Sequence, residues 1–373
     1  MSLKEKLFPQ NRLGLDRFWN FSRGGIDNFR TGLRDAVSGV EQTRSRMMEY
    51  DQLLVWAVLS LMLIGLVMVY SASITLADGP KYANYSSNFF LIRHLISLAI
   101  AIVVGIWAFK IPSKVWDRYS PVIFGITVIL LIAVLIPGIG KGVNGAKRWI
   151  PLGVMNFQPS ELMKFAAVIF AASYTVQRQE YLHSFSKGML PMGIAVALVG
   201  GLLMKEPDMG AFVVVALIAF GILFLGGINA KLFGGLIVVG LLSGAAMIAL
   251  SPFRRGRMLA FMDPWQVDNA ANKGYQLTHS LMAFGRGEWF GTGLGGSVEK
   301  LHYLPEAHTD FIMAVIGEEL GFVGVVVMIF LFYWIVRRAF MIGRTALQLD
   351  RSFAGLAAKG VAIWIGWQAF INM

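Results

Sequence analysis

Apolar blocks recur along almost the whole chain, and each is about as long as a helix that crosses a hydrocarbon core of ~30 Å. Of the 373 residues, 56% are hydrophobic and 15% are charged, whereas soluble domains carry roughly 25% charged residues. Backbone groups find no water in lipid, so such blocks form helices or a closed barrel. The lack of period-2 alternation excludes a barrel. We predict an all-α, polytopic membrane protein with nine transmembrane helices, at 53–75, 89–109, 121–137, 161–176, 189–204, 211–226, 232–250, 311–336 and 353–373.

The distribution of positive charge predicts the orientation of the chain. Lys and Arg are enriched in the cytoplasmic connections of membrane proteins. With the N-terminus inside, the short inner connections hold ten Lys and Arg residues and the short outer connections hold five. The net charge of +11 therefore reflects topology and is not a sign of nucleic-acid binding.

This orientation divides the chain into a cytoplasmic N-terminal tail (1–50) and a membrane domain (51–373), with a large extracytoplasmic loop (251–310) between the seventh and eighth helices. No apolar run precedes residue 50, so we expect no cleavable signal peptide. The basic, aromatic tail is either loosely ordered or lies on an anionic inner leaflet.

A polar stretch opens the fourth block. Ser160 can cap a helix there, and Glu161 in the first turn is favoured by the helix dipole. Lys164 is three residues beyond Glu161 and lies on the same face. These residues predict either a capped helix with an interfacial ion pair, or a pocket that offers Lys147, Arg148 and Lys164 to an anionic headgroup.

Three further acidic residues lie at or within apolar blocks, where ionisable groups are costly. Asp208, in the short connection 206–210, is either a turn residue or the partner of Lys164. Glu318 and Glu319 are about two turns into the eighth block. We expect both to face the bundle interior, protonated or paired, in a structural role.

The loop 251–310 is basic and rich in histidine. Residues 274–285 predict an amphipathic helix on or in the membrane surface. Residues 291–296 match G-x-G-x-x-G, but no strand or βαβ unit surrounds them, so we assign these glycines to positive φ angles and close backbone approach. The loop carries six cations: Arg254, Arg255, Arg257, Lys273, Arg286 and Lys300.

The residues give little support for a metal site or for disulfide bonds. A zinc site from His302, His308 and Asp310 fits no ligand spacing that we recognise. The chain has no cysteine, which excludes disulfides and thiolate sites.

Asp310 immediately precedes the eighth block, and its role decides the function. One interpretation is that Thr309 caps the helix and Asp310 stabilises its first turn. The other is a reactive carboxylate that faces the aqueous side of the bilayer. A helix dipole and nearby cations stabilise a charged carboxylate and make it a weaker base. If Asp310 is a catalytic base, desolvation, a neighbouring carboxylate such as Glu306, or a metal must offset the effect of the dipole and the cations.

Six segments closely resemble the FtsW/RodA, or SEDS, family of membrane proteins. The match extends from about Tyr50 to Met373, and its last two segments are long and specific. The long N-terminal tail and the sequence GRGE at 285–288 resemble the cell-division members of the family more than the elongation members. The segments are VMVYSAS (67–73), KRWI (147–150), QPSELMK (158–164), EPDMG (206–210), GYQLTHSLMAFGRGEWFGTGLGGS (274–297) and LPEAHTDFIMAVIGEELGFVG (304–324).

The resemblance implies a peptidoglycan glycosyltransferase that polymerises lipid II during septal cell-wall synthesis in the bacterial inner membrane. Its implied partners are a class B penicillin-binding protein and other divisome membrane proteins. The family's essential acidic residue falls on Asp310, which would deprotonate the 4-hydroxyl of the acceptor sugar, with inversion at the donor carbon. Hydrolases typically need two carboxylates, whereas a pyrophosphate leaving group needs only neutralisation.

The resemblance also implies a set of substrate-binding residues. Four cations, Arg148, Lys164, Arg286 and Lys300, would neutralise the pyrophosphate, and a divalent cation (Mg or Mn) is an alternative aid there. The full set is Arg148, Gln158, Ser160, Glu161, Lys164, Asp208, Arg286, Lys300, Glu306 and His308.

Ten membrane helices are typical of the family, and the ninth block ends at Met373, so we expect the tenth helix to be missing from this sequence. Two other functions remain open: a lipid II flippase and a non-enzymatic divisome scaffold. The informative charges cluster toward the outer side, which favours chemistry at one face over a transport path.

Overall fold

The helical body begins where the apolar pattern begins. The computed structural model describes residues 50–78, 86, 88–143, 146–151, 156–272 and 274–373. The predicted cytoplasmic tail therefore lies, apart from Tyr50, outside the described residues. The helices are α1 Gln52–Ser73, α2 Phe89–Lys110, α3 Ser113–Leu135, α4 Pro159–Gln177, α5 Leu190–Lys205, α6 Met209–Leu225, α7 Ala230–Ala249, α8 Pro252–Met262, α9 Val267–Ala271, α10 Tyr275–Gly287, α11 Ile312–Gln348 and α12 Ser352–Asn372.

Seven helical segments of the described chain are long and apolar enough to cross a membrane. The other two predicted blocks are helical as well, but α6 has only 17 residues, and the 19-residue α4 carries Glu161 and Lys164. A multi-pass, mostly helical architecture is thus confirmed, while the count of nine spans stays a prediction. The seven segments are Gln52–Leu76, Phe89–Lys110, Ser113–Leu135, Phe185–Lys205, Ala230–Ala249, Ile312–Gln348 and Ser352–Asn372.

Helix α4 lies at the centre of the bundle. Its small residues Ala166, Ala171 and Ala172 are fully buried, and small side chains let neighbouring backbones approach closely. Apolar side chains from α3, α5, α6 and α12 pack around them. By contrast, α2 and α7 bury no residue in the described structure, as expected of helices that face lipid. The polar start of α4 is therefore held among other helices.

A small antiparallel sheet corrects the all-α prediction. Its strands are β1 Lys141–Val143, β2 Ala146–Pro151 and β3 Asn156–Phe157, in the order β1-β2-β3. The sequence Asn144-Gly145 between β1 and β2 is typical of a two-residue hairpin turn, and this signal was missed. Because the sheet lies between two spans, the helical architecture is unchanged.

Helix α11 is broken at Gly321, whose φ of 66° and ψ of −166° are non-helical. A broken helix leaves backbone groups that need new partners, above all in a membrane. The amides of Thr292 and Gly293 supply them, by donating to the carbonyls of Glu318 and Glu319 at 2.9 and 3.0 Å. Two amides beyond the break donate back to the same loop. The loop before α11 is therefore docked onto the break.

Glycine makes this docking sterically feasible. Gly291, Gly293 and Gly295 all have positive φ angles, which confirms the prediction for this glycine-rich stretch. A Cβ on Gly291 would lie 2.1 Å from the carbonyl oxygen of Glu319. The backbones of the loop and of α11 are thus in direct contact.

Candidate functional site

A cavity of about 850 Å³ opens beside the start of α11. Residues of α4, α8, α10, α11 and α12 line it. Two of them are carboxylates, Asp310 just ahead of α11 and Glu161 in the first turn of α4. Most of the others are apolar, and no lysine, arginine or histidine occurs among the described lining residues. The cavity therefore combines acidic groups with a large apolar surface.

Asp310 is exposed at this cavity and is not a helix cap. Helix α11 begins at Ile312, with Phe311 at the N-cap position and no capping hydrogen bond from its side chain. The hydroxyl of Thr309 donates to Oε2 of Glu306, at 3.2 Å. Thr309 is therefore not the N-cap that was predicted, and Asp310 is exposed among the residues that line the cavity.

Glu306 and His308 shape the turn that presents Asp310. Glu306 has a φ of 57°, and its carbonyl accepts a hydrogen bond from the amide of Thr309, at 3.1 Å. The His308 ring packs edge-on against Phe90, with 5.0 Å between the ring centroids. Neither Glu306 nor His308 is among the described residues that line the cavity.

Lys164 supports the acidic wall of the cavity from behind. Its ammonium lies 2.7 Å from Oε2 of Glu161, with 4% of the Lys164 side chain and 50% of the Glu161 side chain exposed. It also donates to Oε1 of Gln368, at 2.8 Å, and the Trp364 indole donates to the same oxygen, at 2.7 Å. The predicted ion pair is confirmed, and the hydrogen bond from Lys164 to Gln368 ties α4 to α12.

Asp208 joins the starts of α4 and α6. One carboxylate oxygen accepts from the amide of Ala211, at 3.2 Å, and so caps α6. The other accepts from the Ser160 hydroxyl, at 3.0 Å, and from the Gln158 amide, at 3.2 Å. The turn interpretation of Asp208 is thus supported, and its pairing with Lys164 is not observed. Because the Ser160 hydroxyl bonds to Asp208, it does not cap α4 as predicted.

Arg148 and Glu206 lie at the same junction. The Arg148 Nε donates to the carbonyl of Glu206, at 2.9 Å, and a terminal nitrogen donates to the carbonyl of Pro207. Glu206 is fully buried, and in the described structure neither carboxyl oxygen has a hydrogen-bond partner. Burial, then the neighbouring Asp208, raises the pKa of Glu206 to about 8, against an opposing effect of Arg148. Glu206 is therefore mostly protonated at neutral pH.

Glu319 holds Lys300 inside the protein. The Lys300 ammonium lies 2.6 Å from Oε1 of Glu319, with 3% and 0% of the two side chains exposed. The hydroxyl of Ser71 is 2.7 Å from each Glu319 oxygen. The prediction that Lys300 meets a substrate anion gains no support, because its charge is paired and it is absent from the described cavity lining.

Glu318 holds the adjoining part of the loop. It accepts from the hydroxyl of Ser297 and from two backbone amides. The Arg286 Nε approaches its Oε1 at 3.7 Å. Arg286 is two residues beyond the cavity-lining Phe284, so it lies on the opposite face of α10. The structural role predicted for Glu318 and Glu319 agrees with these contacts.

Apart from Glu306 and His308, which lie in the turn before α11, the predicted site residues fall into three groups. Asp310 and Glu161 line the cavity, with Lys164 behind Glu161. Arg148, Gln158, Ser160 and Asp208 meet at the α4–α6 junction, whereas Arg286 and Lys300 lie near the break in α11. Sequence reasoning missed Gln368 and Trp364, although a glutamine inside an apolar block was a usable signal.

Known proteins resemble this chain along most of its length. The profile of the FtsW/RodA/SpoVE family, described as "Cell cycle protein", matches residues 52–373. A protein of Polynucleobacter necessarius subsp. necessarius (strain STIR1), named "Probable peptidoglycan glycosyltransferase FtsW", is 95% identical over 100% of this chain and 88% of its own. A protein of the same name from Burkholderia thailandensis is 63% identical over 92% of this chain and 74% of its own.

Solved structures share the fold. One, described as "Structural coordination of polymerization and crosslinking by a peptidoglycan synthase complex", has a TM-score of 0.68 and 26% identity, over 87% of this chain and 86% of its own. The rod shape determining protein RodA of Thermus thermophilus has a TM-score of 0.58 and 24% identity, over 87% of this chain and 84% of its own. With the profile match across the membrane helices, these likenesses show that the chain is a multi-pass membrane protein of the FtsW/RodA/SpoVE family.

Proposed function

We propose that this chain is a peptidoglycan glycosyltransferase that polymerises lipid II into glycan strands during septal cell-wall synthesis. The observation that carries the proposal is an exposed carboxylate, Asp310, on the wall of an apolar cavity of about 850 Å³. The printed names of relatives that are 95% and 63% identical point to the same activity.

Asp310 would act as the general base. The reaction joins the 4-hydroxyl oxygen of the acceptor sugar to the anomeric carbon of the donor and breaks the bond from that carbon to the pyrophosphate. Asp310 takes the hydroxyl proton, and the configuration inverts because attack is opposite the leaving group. Pyrophosphate leaves as an anion, so it needs positive charge near it and no proton from a second carboxyl group.

The apolar part of the cavity suits the polyprenyl chain of the lipid substrate. Phe284, Ile316, Phe332 and Ile365 are among its lining residues. Ligand cavities usually combine such surface with few polar groups that fix orientation. Asp310 and Glu161 would fix the sugars, while the lipid chain occupies the apolar walls.

Glu161 would bind the substrate, and Lys164 would hold Glu161 in place from behind. The Lys164 ammonium is directed at both carboxylate oxygens of Glu161 and at Gln368, which accounts for its three N–H bonds. Glu161 is half exposed and can accept from a sugar hydroxyl. The α4–α6 junction would hold both residues in place, which is the role we assign to Gln158, Ser160 and Asp208.

A divalent cation, Mg or Mn, fits this site only together with substrate. Mg²⁺ is usually held by one or two carboxylates plus substrate phosphates, and Asp310 and Glu161 are ligands of that kind. Among the described residues, no group of three or more His, Cys, Asp or Glu is placed to hold an ion. The proton transfer to Asp310 does not depend on the cation.

The membrane arrangement that we propose has nine spans and a cytoplasmic N-terminus, in the inner membrane at the septum. The helical form of α4 and α6 and the positive charge of the inner connections support it. A class B penicillin-binding protein would supply crosslinking, beside other divisome membrane proteins. The likeness to a chain from a complex described as coordinating polymerization and crosslinking supports such a partner.

Polymerisation in detergent tests the activity. The purified chain is incubated with lipid II and Mg²⁺, with and without its transpeptidase, and glycan products are separated on a gel. Micelles have no two leaflets, so a flippase gives no signal. We expect polymer in at least one condition. Absence of polymer in both would contradict the proposal. Transport of lipid II across proteoliposomes would then favour the flippase, and absence of both activities would favour the scaffold.

A further inference from the structure

An apolar groove lies between α11 and α12, and it shares no lining residue with the cavity that contains Asp310. Its volume is about 320 Å³. Along α12 it extends over eight residues, from Ala362 to Phe370, which correspond to about 12 Å. No step of the proposed reaction uses this groove. Its lining residues are Val336, Phe340, Ala362, Ile363, Gly366, Trp367 and Phe370.

Each of the two helices carries a cation at the same end of the groove. Residues three, four and seven positions apart lie on the same side of an α-helix. On α12, Lys359 precedes Ile363 and Gly366 by four and seven positions. On α11, Arg344 follows Phe340 by four positions. Both cations therefore lie on the groove side of their helices, one turn beyond the apolar lining.

A glycine lets these two cations approach each other. A Cβ on Gly343 would lie 2.7 Å from Cγ of Lys359, so the stem of Lys359 packs directly against the backbone of α11. Arg344 is the next residue, and its charge acts on that of Lys359. In the described part of the chain, neither cation forms an ion pair with a carboxylate. Because like charges repel, an anion between them would stabilise this arrangement.

The two cations lie where a lipid headgroup would be expected. Helix α11 continues past the apolar block, which ends near Val336, as far as Gln348. Gly343 is seven residues beyond Val336, or about 10 Å along the helix. With the cytoplasmic N-terminus proposed above, this level is the headgroup region of the inner leaflet. Residues 337–359 contain five Lys and Arg residues and one acidic residue, Asp350.

We infer that the groove and its two cations bind one anionic phospholipid of the inner leaflet. An acyl chain would lie between α11 and α12, and the phosphodiester would lie between Arg344 and Lys359. Basic pockets between membrane helices on the cytoplasmic side bind anionic headgroups. Guanidinium groups form paired hydrogen bonds with phosphate oxygens, and a lysine stem can lie along an apolar surface. The inference does not depend on the proposed glycosyltransferase activity.

The combination of charge and apolar surface distinguishes a lipid from other occupants. An apolar membrane helix from a partner would fill the groove but would leave the charges of Arg344 and Lys359 uncompensated. A free phosphate ion would compensate the charges but would leave the groove empty. A zwitterionic phospholipid brings a positive group of its own to a site that is already cationic. An anionic phospholipid matches both features.

The chain offers a matched control for a binding test. Arg344→Gln/Lys359→Gln removes both charges from the end of the groove, while Arg351→Gln removes one exposed charge from the nearby turn between α11 and α12. Each single variant, Arg344→Gln and Lys359→Gln, matches that control in charge. Gly366→Leu places a longer side chain in the groove and leaves the charge unchanged.

Binding is measured on the purified chain after lipid has been removed in detergent. Native mass spectrometry gives the affinities for phosphatidylglycerol, for phosphatidylcholine and for a synthetic peptide of the transpeptidase's transmembrane helix. Water-soluble glycerol 3-phosphate, which has the phosphate but no acyl chain, is tested by its effect on the unfolding midpoint, next to phosphatidylglycerol.

We expect the wild type to bind phosphatidylglycerol about tenfold more tightly than phosphatidylcholine, the effect of one charge-assisted contact. The double variant should lose this preference, each single variant should lose part of it, and Arg351→Gln should retain it. Gly366→Leu should bind both lipids more weakly. Glycerol 3-phosphate should not raise the unfolding midpoint.

A preference for phosphatidylglycerol within about twofold of wild type in the double variant would overturn the inference, and so would an equal loss in Arg351→Gln. If the double variant does not fold, an unchanged preference in Arg344→Gln, at an exposed position, would have the same meaning. Stabilisation by glycerol 3-phosphate equal to that by phosphatidylglycerol would indicate a site for small anions instead. If Gly366→Leu weakens binding of the transmembrane peptide but of neither lipid, the groove binds a protein helix and the inference is wrong.

Discussion

Glu206 is a buried carboxyl group that holds its proton more tightly in the folded protein than in the unfolded chain. Its pKa is raised from 4.5 to about 8 by burial and by Asp208, so the folded protein binds this proton more tightly than the unfolded chain does. The stability that it contributes is therefore fully present below pH 4.5 and is lost as the pH rises toward 8.

Glu206→Gln should remove this pH dependence, because glutamine is neutral at every pH and has nearly the same shape. As the pH rises from 5 to 8, we expect the thermal unfolding midpoint of the wild type in detergent to decrease, and the midpoint of the variant to decrease less. At pH 8 the free energies of unfolding of the two proteins should differ by at least about 1 kcal/mol. Glu180→Gln, at an exposed glutamate, is the control and should follow the wild type. Parallel curves for wild type and Glu206→Gln would contradict the account.

Sequence reasoning at this scale found local partners and missed distant ones. The Glu161–Lys164 pair was predictable because a separation of three residues fixes the geometry on a helix. Gln368 is 204 positions from Lys164, and Ser71 is 248 positions from Glu319. Such contacts depend on how helices pack, which no local pattern contains.

At the scale of elements, the break in α11 depends on two buried carboxylates and the loop that they hold. Glu319→Gln leaves the Lys300 ammonium buried without an opposite charge. Breaking one partner of a buried ion pair typically costs about 3–5 kcal/mol. We therefore expect Glu319→Gln to lower the free energy of unfolding by an amount in that range.

The double variant Lys300→Met/Glu319→Gln removes both charges and should recover a large part of that loss. Unfolding midpoints of the wild type, both single variants and the double variant, measured in the same detergent, give the coupling between the two sites. Strictly additive effects would show that the two side chains do not form the ion pair.

The elements that were predicted wrongly are those whose bounds or presence apolar length does not determine. The eighth apolar block was predicted to end at 336, yet α11 continues to Gln348. Arg337 and Arg338 mark the end of an apolar span, but arginine is a good helix former, so the helix continues past the apolar region. Likewise, apolar length does not predict the pairing of β1 with β2, although the sequence Asn144-Gly145 between them is typical of a hairpin.

At the scale of the whole molecule, the orientation in the membrane can be tested cleanly because the chain has no cysteine. Ala271→Cys places one thiol on an exposed position of α9, and Gln348→Cys places one on an exposed position at the end of α11. We expect an impermeant maleimide to label Ala271→Cys in intact spheroplasts and Gln348→Cys only after lysis. The reverse pattern would invert the proposed topology.

Hydropathy predicted the whole molecule as a series of helices but not their arrangement. By hydropathy alone the fourth block is one span among nine, yet α4 lies at the centre of the described bundle and presents Glu161 to the cavity. Its position follows from alanines that permit close packing, a feature that hydropathy does not weigh. The cavity could not be predicted for the same reason, since five separate helices line it.

The role of Asp310 as the base is the central claim, and the rate of lipid II polymerisation by Asp310→Asn tests it most directly. Asparagine keeps the size of the side chain but cannot take the proton, and a general base typically contributes 10²–10⁴-fold. We expect a loss of at least about 100-fold in rate, with unchanged unfolding midpoint and lipid II affinity. Asp268→Asn, at an exposed aspartate of the same loop, should polymerise like the wild type. A rate for Asp310→Asn close to that of the wild type would contradict the account.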